Sequence, residues 1–150
     1  MRKDKKYILI FFVLAIAILF LFYRNRIKEF FQTQNNILGT PMAACSIPPQ
    51  KTTGFYRDGY CATGPTDTGT HVVCATVDDN FLTFTKSKGN DLSTPQDSFP
   101  GLVAGDNWCL CALRWKEAYD AGKAPKINPY ATNDVAIKYV SKDILMNYAK

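Results

Sequence analysis

The chain has one histidine, His71, in 150 residues. Any imidazole chemistry must therefore run through that residue. There is no phosphate loop, no dinucleotide-binding glycine pattern and no nucleophile-elbow serine. No nucleotide, flavin or nucleic-acid partner is expected on those grounds. The five cysteines include no Cys-x-x-Cys pair, the spacing typical of structural zinc. Internal repeats and low-complexity tracts are also missing. Finally, no charged or strongly polar side chain occurs from Tyr7 to Tyr23.

That last gap is the first positive feature. The run is Ile, Leu, Phe, Val and Ala between two tyrosines, and its 17 residues would rise roughly 25 Å as a helix. No small-residue cleavage site follows, so a retained single-pass transmembrane helix is expected rather than a signal peptide. The tyrosines suit two interfaces, with the lipid bilayer as partner. Arg2, Lys3, Lys5 and Lys6 precede the run, and Arg24, Arg26 and Lys28 follow it. That count leans toward a cytoplasmic N-terminus. The expected organisation is a basic flank at 1–6, the span at 7–23, a juxtamembrane segment and linker at 24–35, and a globular domain at 36–150. Ile27, Phe30 and Phe31 sit at helical spacing, suited to an interface.

Charge divides along the same boundary. The formal net charge is +5, yet residues 34–150 carry eleven basic and eleven acidic side chains. The positive balance belongs to the first 33 residues, where anionic headgroups are a simpler partner than nucleic acid.

The remaining 115 or so residues suffice for one small core. Turn signals crowd its opening: Gly39-Thr40-Pro41, Pro48-Pro49, Thr53-Gly54 and Asp58-Gly59. His71 to Val77 is the clearest strand. Asp78 is placed to cap a short helix through Phe81, Leu82 and Phe84, with Gly89 as its stop. A second short strand is expected within 125–130, and a last helical segment after a Thr132 cap. The expected fold is a small, loop-rich α+β domain with few strands and about three helices, preceded by one transmembrane helix.

The stretch Asp106 to Trp115 holds both tryptophans and two cysteines. Read at helical spacing, Trp108, Cys111, Ala112, Trp115, Ala118 and Tyr119 share one face, with Asp106 as N-cap and Gly122 as stop. That reading puts Cys109 in the first turn, where the helix dipole and free amides favour a thiolate. If the segment is extended instead, Cys109 and Cys111 share a face, and Cys61 or Cys74 become the more natural partners.

Six strings resemble one family in order: Thr53–Gly59, Thr63–His71, Val73–Ala75, Gly89–Pro95, Phe99–Leu102 and Trp108–Ala112. It is the domain-of-unknown-function family numbered 2237, small and mainly bacterial proteins, and the likeness runs from about Asn36 to near the C-terminus. The resemblance implies a compact domain and transfers no activity. The run at 7–23 departs from it and suggests a relocated copy, such as a virion or envelope membrane component. Asn133 also departs, standing where the family pattern has a histidine.

Four chemistries remain open. A thiol site would use Cys109 with His71 and Arg57, against the alternative that the cysteines are inert and buried. A metal site, zinc by chemistry, would draw on Cys61, Cys74 and Cys111 with Cys109 and His71, although His71 and Cys74 are three apart on a strand and so point to opposite faces. A disulfide framework would leave one cysteine over. Hydrolysis or ligand binding would use Arg57, Asp58, Asp67, Asn90 and Asp91, residues that also have plain turn-forming reasons to be where they are. The competing class is a tethered binding or assembly module that meets another protein through Phe55, Tyr56, Tyr60 and Phe99. A concave pocket joining Cys109 with His71 or Arg57 favours chemistry, and a flat apolar patch favours assembly.

Overall fold

In the computed structural model, the backbone is described at residues 2–32 and 34–150, and side chains at 7–8, 10–24 and 34–150. The basic residues Arg2, Lys3, Lys5, Lys6, Arg26 and Lys28 and the apolar set Ile27, Phe30 and Phe31 lie outside the described side chains. The chain forms two compact units, Met1–Thr33 and Gln34–Lys150.

The first unit is one helix, α1 (Arg2–Gln32). Among the described residues, no helix is long and apolar enough to cross a membrane. This corrects the expected transmembrane helix at 7–23, the single-pass membrane location and the orientation drawn from them. The apolar run is real, but its roughly 25 Å rise falls short of a hydrocarbon core roughly 30 Å thick.

The second unit is α+β. Its sheet is antiparallel, in the order β2-β1-β3. The strands are β1 (His71–Thr76), β2 (Asn107–Cys111) and β3 (Lys126–Ile127). Three helices accompany them: α2 (Asp79–Ser87), α3 (Ala112–Asp120) and α4 (Lys142–Asn147), with a 3-10 turn at Asp134–Lys138. β1 is central because Val72 to Ala75 are buried on both faces, the environment that β-branched residues suit.

α2 begins where its cap predicts, since the Asp78 carboxylate accepts the Phe81 amide at 2.8 Å. It buries Phe81, Leu82 and Thr85. α3 starts five residues later than the helical reading of Asp106 to Trp115, its N-cap at Cys111 instead of Asp106. Residues 107–111 instead pair with β1, Leu110 opposite Val73 and Trp108 opposite Ala75. Short apolar runs fit both periods, and here sheet pairing prevails over helical spacing. Ala112, Trp115 and Ala118 form the buried face of α3.

Trp115 anchors the core. Its indole N–H donates to the Pro125 carbonyl at 3.1 Å, and its ring packs on Tyr119 and Tyr148. Truncating so buried an aromatic to alanine costs about 3–5 kcal/mol. Near the C-terminus Asn133, rather than Thr132, caps the 3-10 turn by accepting the Val135 amide. The Thr132 hydroxyl is committed elsewhere, accepting the Cys74 amide at 3.1 Å.

Two disulfides fasten the turn-rich opening segment to the sheet: Cys45–Cys74 and Cys61–Cys109. Cys111 is the free cysteine.

Candidate functional site

The site grows from a defect in the β1–β2 ladder. His71 lies opposite Cys111 and Cys74 opposite Cys109, with a register shift between His71 and Val73. The extra residue of that bulge changes the face count. His71 and Cys74 are three apart, yet both stand across from the alternating pair Cys111 and Cys109. The expectation of opposite faces is thereby corrected: one sheet face carries His71, Cys74, Cys109 and Cys111.

The loop before β1 fixes the histidine. Asp67 has a fully buried side chain, and its Oδ1 lies 2.6 Å from His71 Nδ1. Its Oδ2 accepts the His71 amide at 2.8 Å and the Thr63 hydroxyl at 3.0 Å. A carboxylate on Nδ1 selects the tautomer with the proton there and leaves Nε2 as the basic nitrogen. Phe55 stacks on the ring at 6.0 Å. An added Cβ at Gly69 would collide with His71 Cε1, so a larger residue there must displace the imidazole. Thr70, next in the chain, is in the left-handed region at φ 50°.

These groups open onto a cavity of about 480 Å³. Within the size range of small-molecule sites, it joins His71, Arg57, Arg114, Trp108, Cys109 and Cys111. Arg57 comes from the Gly54–Gly59 turn with φ 55°, and its guanidinium lies 5.0 Å from the Trp108 ring centroid. A non-glycine residue held there stores strain, as residues at ligand clamps commonly do. Arg114 comes from the first turn of α3 and donates to Glu117 at 2.9 Å.

The two cavity cysteines differ. Cys109 is buried and bridged to Cys61, and its amide donates to the Thr53 hydroxyl at 2.8 Å. It therefore has no thiol to ionise. This corrects its reading as a thiolate at a helix start. The cysteine at the helix start is Cys111, which is half-buried, unbridged and makes no side-chain capping bond.

The other expected residues separate. Asn90 lines the cavity and donates to the Thr85 hydroxyl at 2.9 Å. Asp58 closes its own turn by accepting the Tyr60 amide at 3.0 Å rather than pairing with Arg57. Asp91 binds Lys86, Ser93 and Thr94, and these partners, Lys86 first, hold its carboxyl well below the usual carboxylate range. Cys61 and Cys74 are in bridges. The sulfurs of Cys45, Cys61 and Cys109 lie within 4.8 Å of one another, a cluster that could hold a metal ion once reduced.

Cys45, Thr53, Gly69 and Arg114 escaped the sequence reading. Arg114 carried a usable signal, because it follows Cys111 by three residues and so shares a helix end with it. The Cys61–Cys109 bridge is one of the two partnerships the extended alternative for 107–111 offered, whereas the Cys45–Cys74 bridge carried no signal, since connectivity does not follow from spacing.

No curated protein matches the chain. A family model matches residues 35–149, nearly all of the second unit, and carries the description uncharacterized protein conserved in bacteria. The chain belongs to that family, DUF2237.

Proposed function

We propose that the domain is a thiol-dependent enzyme acting on a small molecule, with Cys111 as nucleophile, His71 as its base and Asp67 as the residue that orients the base. Arg57, which lines the same cavity, is the binding group. The observation that carries this reading is the single cavity joining Cys111, His71 and Arg57, with His71 held at 2.6 Å by a fully buried carboxylate. A nucleophile, a base beside it and a third group orienting the base form the arrangement that activates a weak nucleophile. In the reaction, the Cys111 proton passes to His71 Nε2 as sulfur attacks an electrophilic centre, and the imidazolium returns a proton to the leaving group. An assembly face would call for a flat apolar patch instead of this concave one.

The test is the rate of iodoacetamide labelling at Cys111 in the native chain at neutral pH, located by peptide mass. Asp67→Asn and His71→Ala are expected to slow it on the order of 10²-fold, the scale of general-base assistance. Labelling that appears only on unfolding, or that ignores both substitutions, removes the reading.

A second reading has one observation in its favour, the 4.8 Å sulfur cluster of Cys45, Cys61 and Cys109. After reduction, these thiolates together with Cys74 would offer zinc four sulfurs, provided they close to Zn–S distances near ~2.3 Å. Thermal unfolding of the reduced chain with and without zinc tests it. An unchanged midpoint ends it.

A further inference from the structure

The geometry points to an oxyanion-bearing ligand: the cavity takes a small carboxylate or phosphate held by Arg57 and Arg114, with its apolar body against Phe55, Phe99 and Trp108. This deepens the thiol-site reading, and only the position of the reacting end, at Cys111, rests on that reading.

The first argument is distribution. Residues 34–150 contain nine lysines and two arginines, and their eleven acids make them neutral overall. Both arginines line the cavity, and no lysine, aspartate or glutamate does. A low-dielectric cleft lined by one sign of charge concentrates the opposite charge. Selection of arginine over lysine is the mark of planar, two-pronged oxyanion recognition.

The second argument is availability. Among the described residues, the Arg57 side chain has no hydrogen-bonded or carboxylate partner, and its guanidinium rests on the Trp108 ring while its amide closes the turn on the Gly54 carbonyl. Its backbone is held in the left-handed region, a conformation that is strained for a non-glycine residue. Arg114 uses Nη1 for Glu117 and the Lys88 carbonyl, which leaves Nη2 and Nε for a ligand. A stacked guanidinium keeps its in-plane N–H groups free while its face is covered.

The third argument is shape. Phe99 packs edge-on to Trp108 at 5.5 Å, and Phe55 covers His71. These rings give the cavity an apolar wall beside its two cations. A planar acid satisfies both.

The experiment uses the full chain and two measurements. Labelling of Cys111 by iodoacetate is compared with labelling by neutral iodoacetamide, and binding of benzoate, phenyl phosphate and neutral benzamide is followed by ligand-observed NMR broadening. The expected result is an iodoacetate rate that saturates and exceeds the iodoacetamide rate. Benzoate or phenyl phosphate should broaden and protect Cys111, whereas benzamide should do neither. The stronger of the two anions distinguishes a carboxylate site from a phosphate site. Arg57→Gln and Arg114→Gln should each lower the iodoacetate-to-iodoacetamide ratio by about tenfold, the effect of one charge-assisted hydrogen bond. Arg57→Lys, which keeps the charge and loses the fork, should lower it too.

If neither anion broadens, the inference is overturned even where Cys111 labels readily. If Cys111 labels with neither reagent while an anion still binds through Arg57, the inference holds and the thiol reading fails. The wild-type binding measurement needs no variant, so poor folding of a substituted chain does not blunt the test.

Discussion

Cys109 and Cys111 stand two residues apart on the same face of one strand, and the strand treats them oppositely. At Cys109 the sheet is closed: Thr53 caps the amide, Cys61 bridges the sulfur, and the Cys45 sulfur lies close by. At Cys111 the strand ends, α3 begins, and the neighbour across the ladder is a half-exposed imidazole. The ladder bulge separates the two environments. Depth along one strand, rather than residue type, decides which sulfur cross-links and which stays free to react.

The sharpest way to test that contrast is to remove each sulfur in turn. Cys61→Ser opens the bridge between the opening loops and the sheet and leaves the Cys109 thiol buried, at an expected cost of about 2–5 kcal/mol. Cys111→Ser, which breaks no bridge and fills nearly the same volume, should fall within about 0.5 kcal/mol of the parent. Urea unfolding measures both. Equal losses would mean that the two ends of the strand are not energetically distinct.

Two smaller substitutions probe one end each. Thr53→Val removes the hydroxyl that receives the Cys109 amide and strands a buried donor, which costs about 1–3 kcal/mol. It should leave Cys111 labelling unchanged. Gly69→Ala differs from it at the thiol. Its Cβ drives the His71 ring away from Asp67, with a packing cost of about 1–3 kcal/mol and a Cys111 labelling rate that falls along with that of Asp67→Asn. Loss of stability at Gly69 with full labelling would show that the ring position does not govern the thiol.

The sequence carried the contrast only partly. α2 could be read because its signals are local: Asp78 caps it, and Gly89, at φ 78°, stops it. The start of α3 could not. Trp108, Cys111, Ala112 and Trp115 fit a 3.6-residue period, and only pairing with β1, some 35 residues away, turns 107–111 into strand. That error chose Cys109 as the residue at the helix end when the structure puts Cys111 there. The residues of the site were nonetheless largely visible, because His71 is the only imidazole and Arg57 sits in a dense turn. The bulge was invisible, since nothing in His-Val-Val-Cys announces an extra residue. At 7–23 the apolarity was legible, but its 17 residues rise only roughly 25 Å, and among the described residues no helix is long and apolar enough to cross a membrane.

The smallest expected effect lies away from the strand and serves as its control. Asp91 closes the 91–94 turn, and its carboxyl is held well below the usual range, first by Lys86 and then by the Thr94 and Ser93 hydroxyls. A carboxyl depressed on folding adds stability above its unfolded value, near ~3.9. That contribution disappears as pH falls through the folded value. Asp91→Asn should therefore trail the parent slightly at pH 7, with the difference narrowing progressively below about pH 4. The Cys61→Ser deficit should persist across the same range, because a disulfide carries no titrating proton. Denaturant midpoints at pH 7, 4 and 2.5 follow both. A Cys61→Ser deficit that also vanished in acid would tie the bridge to the charged turns around it and end the claim that depth along β2 alone sets the fate of its sulfurs.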